Sequence, residues 1–141
     1  MRCFLDSNIL ISAGLFPKSV PAAALIKALT PPNVAIVCNY SLDEIRRVIN
    51  RKFPNKSGDL ELFLSRLLLS VEFVTTPDEY HNDEVKIRDI NDRLILRAVK
   101  NADADIFITD DKDFIESMVT IPKIITASQF VNDDYNCCST D

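Results

Sequence analysis

Apolar residues are arranged along the chain in two alternating patterns. Short, almost continuous apolar runs predict buried strands at residues 2–5, 34–38, 71–74, 106–108 and 124–125. Apolar residues at the spacing of one helical face predict helices at residues 22–29, 41–52, 57–70 and 94–102, and another after residue 8. Strands that alternate with helices form a parallel sheet covered on both faces. The pattern therefore predicts an α/β fold, with strand 71–74 at an edge.

The length of the chain favours one domain. A chain of 141 residues can bury a real core but is too short for two ordinary domains. We expect a domain at residues 1–131 and a polar, disordered tail at 132–141. No apolar run approaches the ~20 residues of a membrane span, and the N-terminus lacks a signal pattern. The four cysteines lack metal-ligand spacing and fit a reducing compartment, so we expect a cytoplasmic protein without a membrane partner.

One acid lies on the packed side of a predicted helix. Apolar residues occupy the positions three, four and seven residues after Asp92. Residues at this spacing share a helix face, so we expect the Asp92 carboxylate to point inward. A buried carboxylate needs a partner.

Three further acids follow predicted strands. Asp6 comes directly after strand 2–5, Asp111 lies three residues after strand 106–108, and Glu44 lies in the first turn of the helix that follows strand 34–38. Since parallel strands end at a common edge, these acids can converge there with Asp92. Four carboxylates repel one another unless a divalent cation neutralises them, and oxygen ligands select Mg²⁺ or Mn²⁺. Such a site suits chemistry on phosphates.

Each acid also has a structural interpretation. Asp6 or Ser7 can cap the first helix, and Ser41 with Glu44 matches a capping box, in which the glutamate bonds back to the cap residue. The sequence leaves both possibilities open. The only histidine, His81, lies in a polar segment, where a solvated side chain is the usual state.

A basic run stands out on this acidic chain. The net charge is −5, which repels nucleic acid globally. Between residues 45 and 58, however, there are five basic residues and no acid. Four of them follow Glu44 on its helix, and we expect these to contact the phosphates of a nucleic acid, although a solvated helix face would look the same. These four are Arg46, Arg47, Arg51 and Lys52.

Four segments carry a family resemblance. They are FLDSNILISA at 4–13, EIRRVI at 44–49, RDIND at 88–92 and ADIFITDDKDF at 104–114. In order and spacing they resemble the motifs of PIN-domain ribonucleases, most closely the bacterial toxin-component (VapC-like) branch. The resemblance extends from residue 1 to about residue 130.

The resemblance implies a three-layer α/β/α fold with a central, mostly parallel sheet. It also implies a Mg²⁺- or Mn²⁺-dependent endonuclease that cleaves single-stranded RNA. Such a protein would be the toxin of a toxin–antitoxin pair, with a possible antitoxin partner and a possible homodimer. Carried over by position, the catalytic and metal-binding acids are Asp6, Glu44, Asp92 and Asp111, with Asp113 as a fifth metal ligand and Asn8 and Thr109 as polar supports.

Three positions depart from the family pattern. Ser7 stands where threonine is usual and keeps the hydroxyl, and Ile90 stands where proline is common. Asp110 stands where glycine is common, which leaves open whether Asp110 or Asp111 faces the metal. The alternative function is a PIN-like RNA- or protein-binding module with weak or no activity, whose acids only cap helices.

Overall fold

The computed structural model describes residues 1–134, and its centre is a five-stranded sheet. The strands are β1 (Arg2–Leu5), β2 (Val34–Cys38), β3 (Glu72–Val74), β4 (Ile106–Ile108) and β5 (Lys123–Ile125). They lie in the order β3-β2-β1-β4-β5, and every neighbouring pair is parallel. The predicted α/β fold with a parallel sheet is confirmed, and so is the edge position of β3.

Helices connect the strands, as parallel pairing requires. Within residues 1–134 they are α1 (Ser7–Leu15), α2 (Val20–Leu29), α3 (Asn39–Lys52), α4 (Ser57–Leu67), α5 (Ile90–Asn101), α6 (Lys112–Ile115) and α7 (Ala127–Val131). Short 3₁₀ helices occur at Pro54–Lys56 and Asn82–Lys86.

The sheet has a hydrophobic core on each face. Successive side chains of a strand point to opposite faces. Cys3 and Leu5 of β1 therefore pack with the core that contains α1, α2, α3, α4 and α7, while Phe4 packs with the core that contains α5 and α6. On the second face, Phe107 makes edge-to-face contacts with Phe4 and Phe114 at centroid distances of 5.7 and 4.8 Å. These two cores give the three-layer arrangement.

The helix starts differ from those predicted by the apolar spacing. Helix α5 begins at Ile90 and not at residue 94, because the Asp89 side chain accepts a hydrogen bond from the Asn91 amide and caps the helix there. Helix α3 begins at Asn39, two residues before the predicted start. The spacing of apolar residues does not reveal a first helical turn that is largely polar, which explains both differences.

The C-terminal segment folds back on the first core. Residues 127–131 form α7, and Asp133 pairs with Lys27 of α2 at 2.5 Å. The predicted tail therefore begins with an anchored turn at residues 132–134, while residues 135–141 lie outside the described part of the chain.

Within residues 1–134, no single helix is long and apolar enough to cross a membrane. Helices α1 and α2 pass such a test only as a pair bent by 109°, on length and composition alone.

Candidate active site

The predicted acids meet at the C-terminal edge of the two central strands. Asp6 follows β1 and Asp111 lies three residues after β4, and these strands are direct neighbours. Glu44 comes from α3 and Asp92 from α5, which pack on opposite faces of the sheet. The fold therefore brings together acids that lie up to 105 positions apart in the sequence.

Asp6 is fixed by two hydrogen bonds and is almost fully buried, with 4% of its surface exposed. One carboxylate oxygen accepts from the Ser7 amide at 2.8 Å, and the other accepts from the Thr109 hydroxyl at 2.6 Å. The first bond caps α1, so the capping interpretation describes one oxygen of the two. The pKa of Asp6 is raised to about 7, mainly by burial and also by the Glu44 charge, against the hydrogen bond from Thr109, which lowers it.

Thr109 joins the two strand ends. Its hydroxyl donates to Asp6 and accepts the Asp111 amide at 3.0 Å, while the side chain is completely buried. It thereby fixes the Asp6 carboxylate relative to the loop that carries Asp111. The role of Thr109 as a polar support of the site stays a prediction.

Glu44 is held by Ser7 and not by a capping box. The Ser7 hydroxyl donates a short hydrogen bond to the Glu44 carboxylate. Because α3 begins at Asn39, Ser41 lies inside the helix, and its hydroxyl contacts the Cys38 thiol at 3.4 Å. The capping-box interpretation of Ser41 and Glu44 is therefore wrong. The hydroxyl at position 7 explains how serine can replace the threonine of the family pattern.

Asp92 is buried without a hydrogen-bond partner. Only 8% of the residue is exposed, and in the described part of the chain no group donates to its carboxylate or pairs with it. Its pKa is raised to about 7, mainly by burial and also by the charges of Asp111 and Asp89. The inward orientation predicted from helical spacing is confirmed, but the structure provides no protein partner.

Asp92 lies in a cluster with Asp111 and Asp113. Each offers one carboxylate oxygen, and these oxygens lie within 4.8 Å of one another. Asp111 also caps α6 by accepting from the Asp113 amide at 2.9 Å. Asp110 is exposed and accepts from the Ala127 amide at 3.1 Å, so it bonds to the first residue of α7 instead. The geometry thus separates the two neighbours: Asp111 faces the cluster and Asp110 does not.

One cation of the protein already contacts the cluster. Arg88 donates to the Asp113 carboxylate at 2.6 Å, although its side chain is 86% exposed. Arg88 lies in the RDIND segment, but we assigned it no role from the sequence. Its contact with Asp113 joins two segments that are 25 positions apart, which no local pattern reveals.

The site fits a hard divalent cation. Its side-chain donors are all oxygens, as Mg²⁺ and Mn²⁺ prefer. Oxygens bound to one Mg²⁺ lie at most about 4.2 Å apart, so the 4.8 Å cluster has only to contract slightly. The unpaired Asp92 carboxylate gains a counter-charge in this way. Asn8, two residues after Asp6, also has a buried Oδ1 without a partner in the described residues.

The raised pKa values predict how stability depends on pH. The two aspartates, Asp6 and Asp92, have ordinary pKa values of 3.8 and folded values of about 7. Between these values the unfolded chain binds fewer protons than the folded one, so stability falls as pH rises. The ion-paired Glu72, Asp83 and Glu84 have pKa values below their ordinary ones, so they stay ionised above pH 5 and do not alter this trend. The Tm of the metal-free protein should therefore fall between pH 5 and 8 in EDTA, and a rising Tm would contradict the burial of these charges.

The predicted basic residues divide between two sides of α3. Arg47 and Arg51 lie three and seven residues after Glu44 and Lys52 lies eight residues after it, so all three fall near the helix face of Glu44. Arg46 points elsewhere and pairs with Glu61 of α4 at 2.8 Å. Arg47 lines a cleft with Glu44 and Asp92, and in residues 1–134 it makes no ion pair.

His81 has a structural position. Its Nδ1 accepts from the Asp83 amide at 3.1 Å, and Glu84 accepts from the His81 amide, which closes a capping box on the 3₁₀ helix at 82–86. Glu84 in turn pairs with the buried Arg97 at 2.9 Å. The imidazole belongs to this network and does not contact the acidic cluster.

Comparisons with known proteins agree with this geometry. A PIN domain family model matches residues 2–113. VapBC2 from Rickettsia felis, solved with a DNA fragment from its promoter, has a similar fold with a TM-score of 0.66 and 18% identity over 89% of this chain and 97% of that one. Mycobacterium tuberculosis VapC20, a sarcin–ricin loop cleaving toxin, also has a similar fold. Its TM-score is 0.57, and it is 14% identical over 81% of this chain and 93% of that one.

At 18% and 14% identity, the two solved structures establish the fold alone. No curated protein sequence matches the chain. The family model covers most of the described domain, including every predicted acid. The chain therefore belongs to the PIN-domain family, as its motifs predicted.

Proposed function

We propose that the protein is a Mg²⁺- or Mn²⁺-dependent endoribonuclease that hydrolyses single-stranded RNA. The observation that carries this proposal is the convergence of Asp6, Glu44, Asp92 and Asp111 at one sheet edge, with the buried Asp92 left unpaired. Such a site is costly for the fold unless a cation occupies it, which supports a metal-binding role.

The side chains of the site have separate tasks in this proposal. Asp92, Asp111 and Asp113 would hold the metal, together with Asp6 and Glu44. A bound metal would polarise the phosphoryl oxygen and lower the pKa of a coordinated water. Thr109 keeps Asp6 oriented, and Ser7 keeps Glu44 oriented, through the hydrogen bonds already described. Asn8 would support the site through its unpaired Oδ1.

We further propose that the protein is the toxin of a toxin–antitoxin pair. Family membership and the VapC-like fold support this role. The Rickettsia felis structure is of VapBC2, and VapC20 is a sarcin–ricin loop cleaving toxin. By analogy, the partners of this chain would be RNA, an antitoxin and a second copy in a homodimer.

The binding-module alternative predicts that the acids serve only as caps. Asp6 and Asp111 do cap helices. Glu44 caps nothing, however, and Asp92 lies inside α5 with no hydrogen-bond donor in the described chain. Helix capping therefore accounts for only two of the four acids, which favours the enzyme.

The substrate class can be tested directly. Three labelled substrates of one sequence should be incubated with the protein and Mn²⁺: a single-stranded RNA, the same RNA in a duplex, and a single-stranded DNA. We expect cleavage of the single-stranded RNA and little of the others. Equal cleavage of the duplex would contradict the proposed substrate, and RNA binding without any cleavage would favour the binding module.

The divided basic run gives a further prediction. Changing Arg47, Arg51 or Lys52 singly to glutamine should weaken binding of all RNA sequences and lower the salt-dependence slope by ~0.7 for each phosphate that the variant no longer neutralises. Arg46→Gln is the matched control, because Arg46 pairs with Glu61. It should leave RNA affinity unchanged and alter stability by at most about 1 kcal/mol.

The measurement is RNA affinity against salt concentration for the four variants. Unchanged slopes for all three of the first set would place the RNA on another surface. If the salt-dependence slope changed only in Arg46→Gln, the side of α3 that carries Arg46 would be the one that contacts RNA.

A further inference from the structure

A cleft of about 170 Å³ opens beside the acids, between α3 and α5. Glu44 and Asp92 form part of its wall, so whatever enters the cleft lies next to the proposed reaction centre. Pockets for drug-sized ligands have volumes of ~300–1,000 Å³, so this cleft suits a single flat ring system.

An aromatic ring and two apolar side chains line the cleft. Tyr40, in the first turn of α3, is 39% exposed and lies on the same helix face as Glu44, four residues later. Leu94 and Ile95 of α5 contribute apolar surface. A partly exposed aromatic ring beside apolar side chains is suited to stacking with a planar base.

Two polar side chains of the cleft have unused hydrogen-bonding groups. Arg47 and Asn91 are exposed, and neither side chain makes a hydrogen bond or ion pair within residues 1–134. A guanidinium offers five donors that match a phosphate, and an amide offers both donors and acceptors for a base edge.

The charges of the cleft indicate how a nucleotide would lie in it. Asp43, Glu44 and Asp92 line the cleft with a single basic residue, Arg47. A phosphate deep among these carboxylates would be repelled, whereas a neutral base would not. The phosphate therefore belongs at Arg47 and the base belongs against Tyr40.

We propose that this cleft is a nucleotide subsite for the RNA residue next to the cleaved bond. Tyr40 stacks on its base, Asn91 hydrogen-bonds to the base edge, and Arg47 contacts its phosphate. The proposal rests on the proposed ribonuclease function and adds that the protein binds a base as well as the RNA backbone. Tyr40 and Asn91 are positioning residues in this scheme.

Binding without turnover tests the subsite. The probes are a fluorescein-labelled 12-nucleotide oligouridylate and an oligomer of the same length whose sugars carry no bases, both measured in EDTA. Loss of one base–aromatic stack costs ~1–3 kcal/mol, so Tyr40→Ala should bind the oligouridylate roughly 5- to 150-fold more weakly than the wild type. Its affinity for the abasic oligomer should not change.

Two variants serve as controls. Tyr40→Phe keeps the ring and should bind like the wild type, which separates stacking from a folding defect. Tyr80→Ala removes a tyrosine that is 85% exposed and does not line this cleft, and it should have no effect. A melting curve for each variant verifies that it is folded.

The outcomes separate this inference from the proposed function. Equal affinity of Tyr40→Ala and wild type for the oligouridylate, or an equal loss for both probes, would overturn the base subsite. If the wild type still cleaves RNA with Mn²⁺, the ribonuclease proposal would stand. A wild type that neither binds nor cleaves RNA would overturn both.

Discussion

Replacing Asp92 with asparagine should stabilise the metal-free protein and at the same time abolish RNA cleavage. The Asp92 carboxylate is 8% exposed, has no hydrogen-bond donor in the described chain, and is surrounded by other acids. Removing its charge should raise the free energy of unfolding at pH 8 by roughly 1–3 kcal/mol, which is several degrees in Tm. Cleavage should fall at least about 100-fold, because changes to groups that merely support metal ligands already cost 10–100-fold.

The same variant should lose its response to metal. In the wild type, a cation that binds only the folded state adds stability according to RT ln(1 + [L]/Kd), so Mn²⁺ should raise Tm. With one ligand neutralised, Asp92→Asn should show a much smaller rise. Tm measured against Mn²⁺, Mg²⁺ and Ca²⁺ concentration checks both proteins.

Asp89→Asn is the matched control for this experiment. Asp89 lies three residues before Asp92, is exposed and caps α5. Asparagine caps as well as aspartate, so stability, metal response and cleavage should all stay close to those of the wild type. An Asp92→Asn protein that is less stable than the wild type yet still active would show that Asp92 has a structural role.

Asp6→Asn is the second change with a large expected effect. An asparagine side-chain oxygen can still accept from the Ser7 amide, so the cap of α1 should persist. The charge near Glu44 is lost, and the Thr109 hydroxyl has to reorient toward the new amide group. We expect at least about a 100-fold loss of cleavage with an intact fold.

Cleavage rates at saturating Mn²⁺, together with melting curves, test this prediction. If Asp6 served only as a cap, its replacement would leave cleavage unchanged. Cleavage like that of the wild type would therefore remove Asp6 from the mechanism, even if the other acids remained essential.

The strands and the inward position of Asp92 could be predicted because both depend on local apolar spacing. β1, β2 and β4 have the predicted bounds, and Asp92 shares its helix face with the buried Ile95, Leu96 and Val99. The meeting of Asp6 with Asp111 followed from parallel pairing of strands. The strand bounds and the inward orientation of Asp92 are properties that residues close together in the sequence determine.

Individual side-chain contacts between distant segments could not be predicted. Local spacing allowed a Ser41–Glu44 capping box, but the Ser7 hydroxyl from another helix accounts for Glu44. The choice between Asp110 and Asp111 depended on the Ala127 amide, which follows β5, the strand next to β4.

The basic run shows the same limit. Arg46 and Arg47 are equivalent by composition, yet within residues 1–134 Arg46 pairs with an acid and Arg47 does not, because α4 brings Glu61 alongside Arg46. Tyr40 and Asn91 belong to no motif that indicates a function. The four-residue spacing between Tyr40 and Glu44 could, however, have placed these two residues on one helix face.

The dependence of RNA cleavage on metal tests the central claim most directly. Purified wild-type protein should be mixed with a labelled single-stranded RNA in EDTA, then with increasing Mn²⁺ or Mg²⁺, beside Asp92→Asn and Asp89→Asn. We predict no product in EDTA, metal-dependent product with the wild type and Asp89→Asn, and almost none with Asp92→Asn. Equal cleavage in EDTA and Mn²⁺, or undiminished cleavage by Asp92→Asn, would contradict a metal-dependent nuclease site built on these carboxylates.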